Sequence, residues 1–523
     1  MDVGKSQDLE ASLPGPATGK AGQPYFLARW LFLRLMGAVY FMAFLSLISQ
    51  ISGLVGSHGI LPAHDFLQAA YEALGPLSYW LFPTLAWLNC SDGFLQLLAV
   101  GGACLSLLVV LGIGTAPILV LLWVFYLSLV TVGRDFLSFQ WDALLLEAGF
   151  LSIFFAPWKL LSPPWQAPAW LLSESPPSPI LLWLFRWLLF RVTFMSGAVK
   201  LLSGDPTWRD LTAVSYHYTT QPLPTPVAWY VSQLPMWFQR FSCAGMFILE
   251  LLVPLLIFAP RRLRFLGAGL ICFLQVLIAV TGNYTFFNLL TIFLCLLLLD
   301  DALLRRLFPR VLADRILQAG TASMPYLQRA CCAPLAVLIL FLSGVEVLEQ
   351  FVGMRSLPRA VAEIVGLVSP FQIANPYGVF AVMTTTRLEI IIEGSDDGEV
   401  WSEYEFKYKP GDPKRPPPWV APHQPRLDWQ MWFAALGSYR SNPWFVGLMR
   451  RLLQGSPDVL ALLETNPFPS RPPRFVRAIV YDYHFSDFAG RNATGKWWRR
   501  DYRGTYFPVA SLTDSRKARI KEE

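Results

Sequence analysis

The sequence predicts a polytopic α-helical membrane protein with about nine transmembrane helices, followed by a C-terminal soluble β-sandwich-like domain that carries a helical insertion. Of the 523 residues, 54% are hydrophobic and only 15% are charged, against about 25% charged residues in soluble domains. The mean hydropathy of +0.43 and the 20 tryptophans agree with a membrane protein. From about residue 371 the chain instead has the composition of a soluble domain.

Several stretches are candidate spans, because a helix needs about 20 predominantly apolar residues to cross a bilayer. The nine candidates cover residues 29–51, 94–113, 115–133, 143–160, 180–202, 241–259, 263–281, 284–300 and 331–351. The apolar segment 66–88 is interrupted by Gly75-Pro76 and by Pro83. We therefore predict an interfacial or re-entrant segment there rather than a span.

The basic residues predict how these helices are oriented. Arg29 and Arg34 lie at the start of the first helix and place the N-terminus in the cytosol, whereas the loop 52–93 has no Lys or Arg. Nine helices then put the loop 203–240 and everything after residue 351 on the non-cytosolic side. The predicted divisions are a disordered cytosolic arm (1–24), a multi-pass helical domain (25–353, with the outside loop 203–240), a β-rich domain (371–510) and a charged tail (511–523).

The C-terminal domain shows strand patterns that are separated by helical ones. Runs of β-branched and aromatic residues predict two strands around an Asp-Asp-Gly turn in 387–410 and further strands at 474–485 and 496–509. Three helices are expected between them, with Asn442 and Ser456 as N-caps that are each followed by a proline.

The common catalytic signatures are absent from the sequence. It has no Gly-rich phosphate loop, no G-x-S-x-G, no H-E-x-x-H and no C-x-x-C. His58, His64 and Asp65 share the first outside loop, and we interpret them as ordinary polar residues rather than a metal site. With these signatures absent, we expect no cofactor and no metal. We also expect no nucleic-acid partner, because helix orientation explains the basic residues behind the net charge of +6.

Ionisable residues inside the apolar runs are more informative, because burying one costs about 2.5–3.5 kcal/mol. They are Glu147, Lys200, Glu250 and Glu346. Glu250 lies four residues before Pro254, and we interpret it as bonding backbone groups that the proline frees. Lys200 has two interpretations: its ammonium snorkels to the outer interface, which its position favours, or it lies between helices and acts as a base.

A polar loop at the outer rim of the membrane follows Lys200. "GDPTWRDL" predicts a turn into a short helix with Asp205 as N-cap, and "QPLPTP" predicts an extended segment. Such a stiff loop with interfacial aromatic residues is suited to holding something at the membrane surface. Its candidate functional residues are Lys200, Asp205, Trp208, Arg209, Asp210, His217 and Gln221.

Several long runs resemble the lipase maturation factor family. They include "WRDLTAVSYHYTTQPLPTPVAWYVSQLPMWFQRF", "FLSFQWDALLLEAGFLSIFFAP", "NPYGVFAVMTTTRLEIIIEGSDDGEVWSEYEFKYKPGDPKRPP" and "GKWWRRDYRGTYFPVASL". The resemblance covers nearly everything from about residue 30 to 510.

This resemblance implies a multi-pass protein of the endoplasmic reticulum membrane, or of the inner membrane if the source is bacterial. It further implies a non-enzymatic role in the folding or assembly of secreted lipases or other secretory proteins, with the bilayer as the other partner. The C-terminal domain is the part that the family associates with client lipases. Aromatic residues there could contribute to a client surface, although most are individually expected in the core: Trp401, Trp419, Trp429, Trp432, Trp497 and Trp498.

A shorter run, "GAVKLLSGDPTW", is similar to a segment of the vitamin K-dependent γ-carboxylase. In that enzyme a lysine at the matching place is the catalytic base. This second resemblance implies an alternative function, a membrane enzyme with Lys200 as base and His217 beside it.

Overall fold

The structure, a computed structural model, describes residues 25–158, 175–318, 324–353 and 358–512. The predicted arm, residues 1–24, and most of the predicted tail, residues 511–523, lie outside the described residues. The described chain forms a bundle of helices followed by a domain that combines helices with one sheet.

The helices of the bundle and of its connections are α1 (Phe26–Ile48), α2 (Ile51–Val55), α3 (Ala63–Leu74), α4 (Ser78–Leu81), α5 (Asp92–Leu111), α6 (Thr115–Gly133), α7 (Gln140–Phe155), α8 (Pro179–Leu202), α9 (Pro206–Arg209), α10 (Ala213–Thr220), α11 (Pro226–Ser232), α12 (Met236–Phe247), α13 (Arg261–Thr281), α14 (Phe287–Cys295), α15 (Asp301–Leu304), α16 (Arg310–Gln318), α17 (Tyr326–Val352) and α18 (Arg359–Val368). A π-helical turn (Ile248–Leu252) and a 3₁₀ segment (Val253–Phe258) extend α12.

Within the described residues, seven helical stretches are long and apolar enough to cross a membrane, which confirms the polytopic helical fold class. The other two predicted spans, 143–160 and 284–300, correspond to shorter helices. α7 has 16 residues, and α14 with its 3₁₀ extension covers Phe287–Leu298. α7 stops where it does because Pro157 forces Ala156 into an extended conformation.

The segment 66–88 forms short helices rather than one long helix. α3 ends at Gly75, whose φ of 57° suits glycine, and the 3₁₀ turn Gly75–Leu77 and α4 follow. The glycine and prolines that predicted an interruption are thus where the helices break. Its interfacial position remains a prediction.

α8 is the most buried of the seven long helices, and its mean hydropathy of 1.4 is the lowest among them. Both properties reflect Arg186, Arg191 and Lys200, which an apolar helix facing lipid could not accommodate cheaply. The charged side chains of α8 are therefore available for bonds inside the protein.

The C-terminal domain contains one antiparallel five-stranded sheet in the order β3-β2-β1-β4-β5. The strands are β1 (Leu388–Ser395), β2 (Ser402–Phe406), β3 (Leu463–Thr465), β4 (Phe475–Phe485) and β5 (Trp498–Ala510), and the helices are α19 (Arg426–Ala435), α20 (Pro443–Gln454), α21 (Pro457–Leu460) and α22 (Phe488–Thr494). Four strands and the helical insertion match the prediction, whereas β3 was expected to be helical. The layer packed on the sheet is helical rather than a second sheet: Tyr506 of β5 donates to Ala434 O at 2.8 Å, and its ring lies 5.0 Å from that of Phe445.

The two predicted N-caps occupy the expected positions, but their side chains do not cap the helices. Asn442 Nδ2 donates backwards to Ser438 O at 2.9 Å. Ser456 Oγ donates to His58 O at 2.8 Å, so this hydroxyl joins the C-terminal domain to the first outside loop instead.

The C-terminal domain packs on the C-terminal end of α1. Gln50 Nε2 donates to Gln424 O at 2.9 Å, and Gln50 Oε1 accepts the Arg426 N–H at 2.9 Å. A helix of 23 residues is about 35 Å long, so this domain lies a membrane thickness away from Tyr25, which precedes α1.

Candidate functional site

Lys200, the residue with two interpretations, is buried in an ion pair. It is 3% exposed, and its Nζ donates to Glu250 Oε2 and to Ser196 O, each at 2.8 Å. The snorkelling interpretation is therefore wrong, because the ammonium does not reach the interface and instead binds a carboxylate within the bundle. Glu250 lies in the π-helical turn before Pro254. Its carboxylate forms an ion pair with Lys200, rather than the predicted bond to backbone groups freed by the proline.

The start of the loop 203–240, hereafter the rim loop, is hydrogen-bonded to the chain just before β1. Asp205 caps α9 as predicted, since Oδ1 accepts the Thr207 N–H at 2.8 Å, while Oδ2 accepts the Met383 N–H at 2.6 Å. Burial alone would raise the pKa of Asp205, but these hydrogen bonds lower it below its ordinary value. Trp208 is 2% exposed and donates from Nε1 to Phe380 O at 3.0 Å.

His217 and Gln221 meet at one tyrosine hydroxyl. Tyr284 donates to Gln221 Oε1 at 3.0 Å, and its oxygen lies 3.0 Å from His217 Nε2. Since the single hydroxyl proton is donated to Gln221, His217 Nε2 is the donor towards the tyrosine oxygen. Burial, with a smaller contribution from Lys200, lowers the pKa of His217 to about 4.

The proline-rich part of the rim loop is extended as predicted and is held from both sides. Gln221 and Thr225 have extended backbone angles. Asn283 Nδ2 donates to Leu223 O at 3.1 Å and to Pro418 O at 2.9 Å, and its Oδ1 accepts the Val420 N–H at 2.8 Å. One buried amide therefore joins the rim loop to the C-terminal domain.

Arg387, at the entrance to β1, makes the most concentrated of these contacts. It is 1% exposed, and its guanidinium donates to three carbonyls of the rim loop: Thr219 O at 2.6 Å, Pro222 O at 2.9 Å and Gln221 O. The Glu389 carboxylate lies 2.7 Å from its Nη2. The rigid guanidinium fork presents several donors in a fixed plane, and this geometry suits arginine better than the flexible ammonium of lysine.

Of the seven predicted site residues, the structure brings four into this contact with the C-terminal domain, which we call the rim interface: Asp205, Trp208, His217 and Gln221. Lys200 lies beneath them, with its Nζ 5.4 Å from the centre of the Trp208 ring. Arg209 and Asp210 are exposed. The alternative pairing of Lys200 with His217 finds no support, because the two side chains bond to Glu250 and to Tyr284 respectively.

Sequence reasoning missed a second connection, in which Arg426 of α19 reaches Asp142 of α7. Arg426 Nη1 lies 2.5 Å from Asp142 Oδ2, and Nη2 lies 2.8 Å from Oδ1. Phe136 O accepts from the same guanidinium at 3.1 Å. Both side chains are almost fully buried, so a two-bond ion pair links the two domains.

A third buried carboxylate holds the segment that leads into the C-terminal domain. Glu147 pairs with Arg191 of α8, and its Oε2 accepts from the Tyr377 hydroxyl at 2.9 Å and from the Asn375 N–H at 3.0 Å. The signal for both connections was present in the sequence as acidic residues within an apolar helix. The partners lie far away in the chain, which is why spacing did not reveal them.

The described residues contain no group of three His, Cys, Asp or Glu side chains that could hold a metal ion. His64 Nδ1 lies 3.7 Å from Asp65 Oδ1 on an exposed turn of α3. His58 contributes its backbone carbonyl to Ser456.

Exposed aromatic side chains border the rim interface. Tyr230 of α11 is 48% exposed and Phe488 of α22 is 51% exposed, and their ring centres lie 6.4 Å apart. Three of the tryptophans proposed for a client surface, Trp429, Trp432 and Trp498, are buried instead, whereas Trp419 is 59% exposed.

Comparisons with known proteins agree with the resemblance seen in the sequence. Residues 27–306 match the lipase maturation factor transmembrane domain, and residues 373–508 match the lipase maturation factor C-terminal domain. The chain is 38% identical to lipase maturation factor 2 of Gallus gallus over 94% of this chain and 82% of that protein. It is 38% identical to lipase maturation factor 1 of Homo sapiens over 98% of this chain and 94% of that protein. No solved structure matches the chain. The chain belongs to the lipase maturation factor family.

Proposed function

We propose that this protein is a membrane-embedded, non-enzymatic maturation factor that assists the folding or assembly of secreted lipases on the lumenal side of the endoplasmic reticulum membrane. The rim interface carries the proposal, because its buried polar contacts fix a polar domain on one face of the helical bundle. The relatives are named lipase maturation factors, which supports a client of that class.

The distribution of charge supports the lumenal orientation. Arg261, Arg262 and Arg264 begin α13, at the same end of the bundle as Tyr25, to whose hydroxyl Arg264 donates. The C-terminal domain contacts the opposite end of α1. Under the positive-inside rule the arginine-rich end faces the cytosol, and the C-terminal domain then faces the lumen.

The exposed pair Tyr230 and Phe488 is the patch that we assign to client contact. It joins the rim loop to the C-terminal domain, and the guanidinium of Arg491 beside it lies 3.6 Å from the centre of the Trp497 ring. Exposed aromatic side chains backed by a buried framework supply binding area with little loss of conformational freedom. A partly folded secretory protein presents the apolar segments that such a patch can cover.

The test uses the full-length chain in cells that lack their own lipase maturation factor and express a secreted lipase. We expect wild-type protein to raise the activity of secreted lipase per lipase synthesised. We also expect Tyr230→Ser combined with Phe488→Ser to lower that rescue severalfold at equal membrane abundance. Tyr502→Ser, at a residue that is 64% exposed on β5, is the matched control. No rescue by the wild-type chain would contradict the proposed function, and equal rescue by the patch and control variants would contradict the patch.

A further inference from the structure

Three polar side chains from different helices meet at the end of the bundle away from the C-terminal domain. Tyr25 precedes α1, Arg186 belongs to α8 and Arg264 belongs to α13. Arg186 Nη2 donates to the Tyr25 hydroxyl at 2.9 Å, and Arg264 Nη2 donates to the same oxygen at 3.1 Å. Two cations therefore share one neutral acceptor.

The hydrogen bonds of this cluster are incomplete among the described residues. The Tyr25 oxygen uses both of its acceptor positions on the two arginines, so its own O–H proton points towards an acceptor that the described residues do not supply. Arg186 is 9% exposed, and its Nε is fully buried without an acceptor. Buried donors of this kind are costly, and a ligand that accepts hydrogen bonds would relieve them.

The charge of the cluster is compensated only in part, since Asp300 interacts electrostatically with Arg264 and no carboxylate of the described residues does so with Arg186. The two nearby carboxylates are committed elsewhere: Asp300 accepts from Arg261 Nη2 at 2.9 Å, and Asp301 accepts the Phe26 and Leu27 N–H groups at 2.7 and 2.9 Å. Among the described residues, the hydrogen bonds of Arg186 and Arg264 go to the Tyr25 hydroxyl and, from Arg264, to Leu298 O, and none goes to a carboxylate. A compact anion with several acceptor oxygens satisfies both the donors and the charge.

We propose that Tyr25, Arg186 and Arg264 form a binding site for the phosphate group of an anionic phospholipid in the leaflet at this end of the bundle. Guanidinium forks match phosphate oxygens, and basic pockets between membrane helices are suited to lipid headgroups. Trp183 and Phe258 lie beside the site, with ring centres 5.5 Å apart and exposures of 51% and 38%. An exposed aromatic pair at this depth favours a lipid over free phosphate, because it can flank the glycerol and acyl chains.

The test is a lipid titration of the delipidated full-length protein in detergent, followed by native mass spectrometry. The probe is dioleoylphosphatidylglycerol, with dioleoylphosphatidylcholine as the zwitterionic comparison. We expect Arg186→Gln and Arg264→Gln each to weaken binding of phosphatidylglycerol by about tenfold or more, the loss typical of one hydrogen bond to a charged group. Arg262→Gln removes the same charge from an exposed position on the same turn and should change binding by less than about twofold.

Tyr25→Phe keeps every charge and the ring but removes the O–H donor. It therefore tests the proposed site even if Arg186→Gln does not fold. We expect it to weaken phosphatidylglycerol binding by about tenfold while thermal unfolding shows an intact protein. Equal binding by the wild type and these variants would overturn the site, as would an equal loss in Arg262→Gln. Displacement of the lipid by equimolar inorganic phosphate would overturn the assignment to a lipid.

Discussion

The ion pair between Arg426 and Asp142 gives the sharpest prediction about how the two domains are held together. The pair is buried, with two short N···O contacts, and Phe136 O adds a third acceptor for the arginine. Removing one member of such a pair leaves the other charge buried, which costs about 3–5 kcal/mol. We therefore expect Arg426→Gln to lower the free energy of opening of α19 from the bundle by at least about 3 kcal/mol.

Hydrogen exchange of the α19 amides in detergent measures this change. A loss of about 3 kcal/mol corresponds to exchange that is faster by about a hundredfold. Replacing both residues, with Asp142→Leu and Arg426→Met, removes the unpaired charge. It should cost about 2–3 kcal/mol less than the sum of Asp142→Leu and Arg426→Met made singly. Arg471→Gln breaks the exposed pair with Asp396 and should change exchange by less than about 1 kcal/mol. Single replacements that alter exchange no more than Arg471→Gln, or a double replacement that is simply additive, would refute the reasoning.

Three further predictions concern the rim. Lys200→Met leaves Glu250 buried and unpaired, so we expect thermal unfolding to show a loss of about 3–5 kcal/mol in the free energy of unfolding. Adding Glu250→Met to this variant should restore most of that stability. An unchanged melting temperature in Lys200→Met would contradict the buried pair. Asn283→Ala leaves the Val420 N–H and the Pro418 carbonyl without a partner and should cost about 2–3 kcal/mol in the same measurement, whereas a neutral result would show that water replaces the amide. The pKa of His217 is about 4 in the folded protein, where the imidazole is neutral, and about 6.5 in the unfolded chain. Its contribution to the free energy of unfolding is therefore complete above about pH 6.5. As the pH falls towards 4, this contribution is lost by about 1.4 kcal/mol per pH unit. His217→Gln should therefore reduce the loss of stability between pH 6.5 and 5 by about 1–2 kcal/mol, and an unaltered slope would contradict the buried neutral imidazole.

The sequence was sufficient to predict the fold class and most of the elements. Apolar runs of sufficient length identified the long helices. Runs of β-branched and aromatic residues, with a turn between the first two, identified β1, β2, β4 and β5. β3 has only three residues and follows α21 directly, so its pattern could not be separated from the end of a helix. The α7 span was overestimated because apolar composition continues past Phe155 while Pro157 stops the helix.

The candidate site was predicted only in part, for a physical reason. The composition of the rim loop indicated a stiff polar element, and Asp205 was correctly assigned as an N-cap. Its partners, however, lie in the C-terminal half: Asp205 bonds Met383 and Gln221 bonds Arg387. Contacts between residues so far apart leave no local pattern. The Lys200–Glu250 pair spans 50 positions and two helices, so Lys200 resembled a surface or catalytic residue until Glu250 was seen beside it.

The rescue of a secreted lipase by full-length Arg426→Gln protein tests the central claim most directly. The claim is that the C-terminal domain supports maturation only while it is held on the helical bundle. At equal membrane abundance, and with hydrogen exchange confirming that α19 has opened, we predict that Arg426→Gln loses most of the wild-type rescue of secreted lipase activity, whereas Arg471→Gln retains it. Full rescue by an Arg426→Gln protein whose α19 is open would contradict the account.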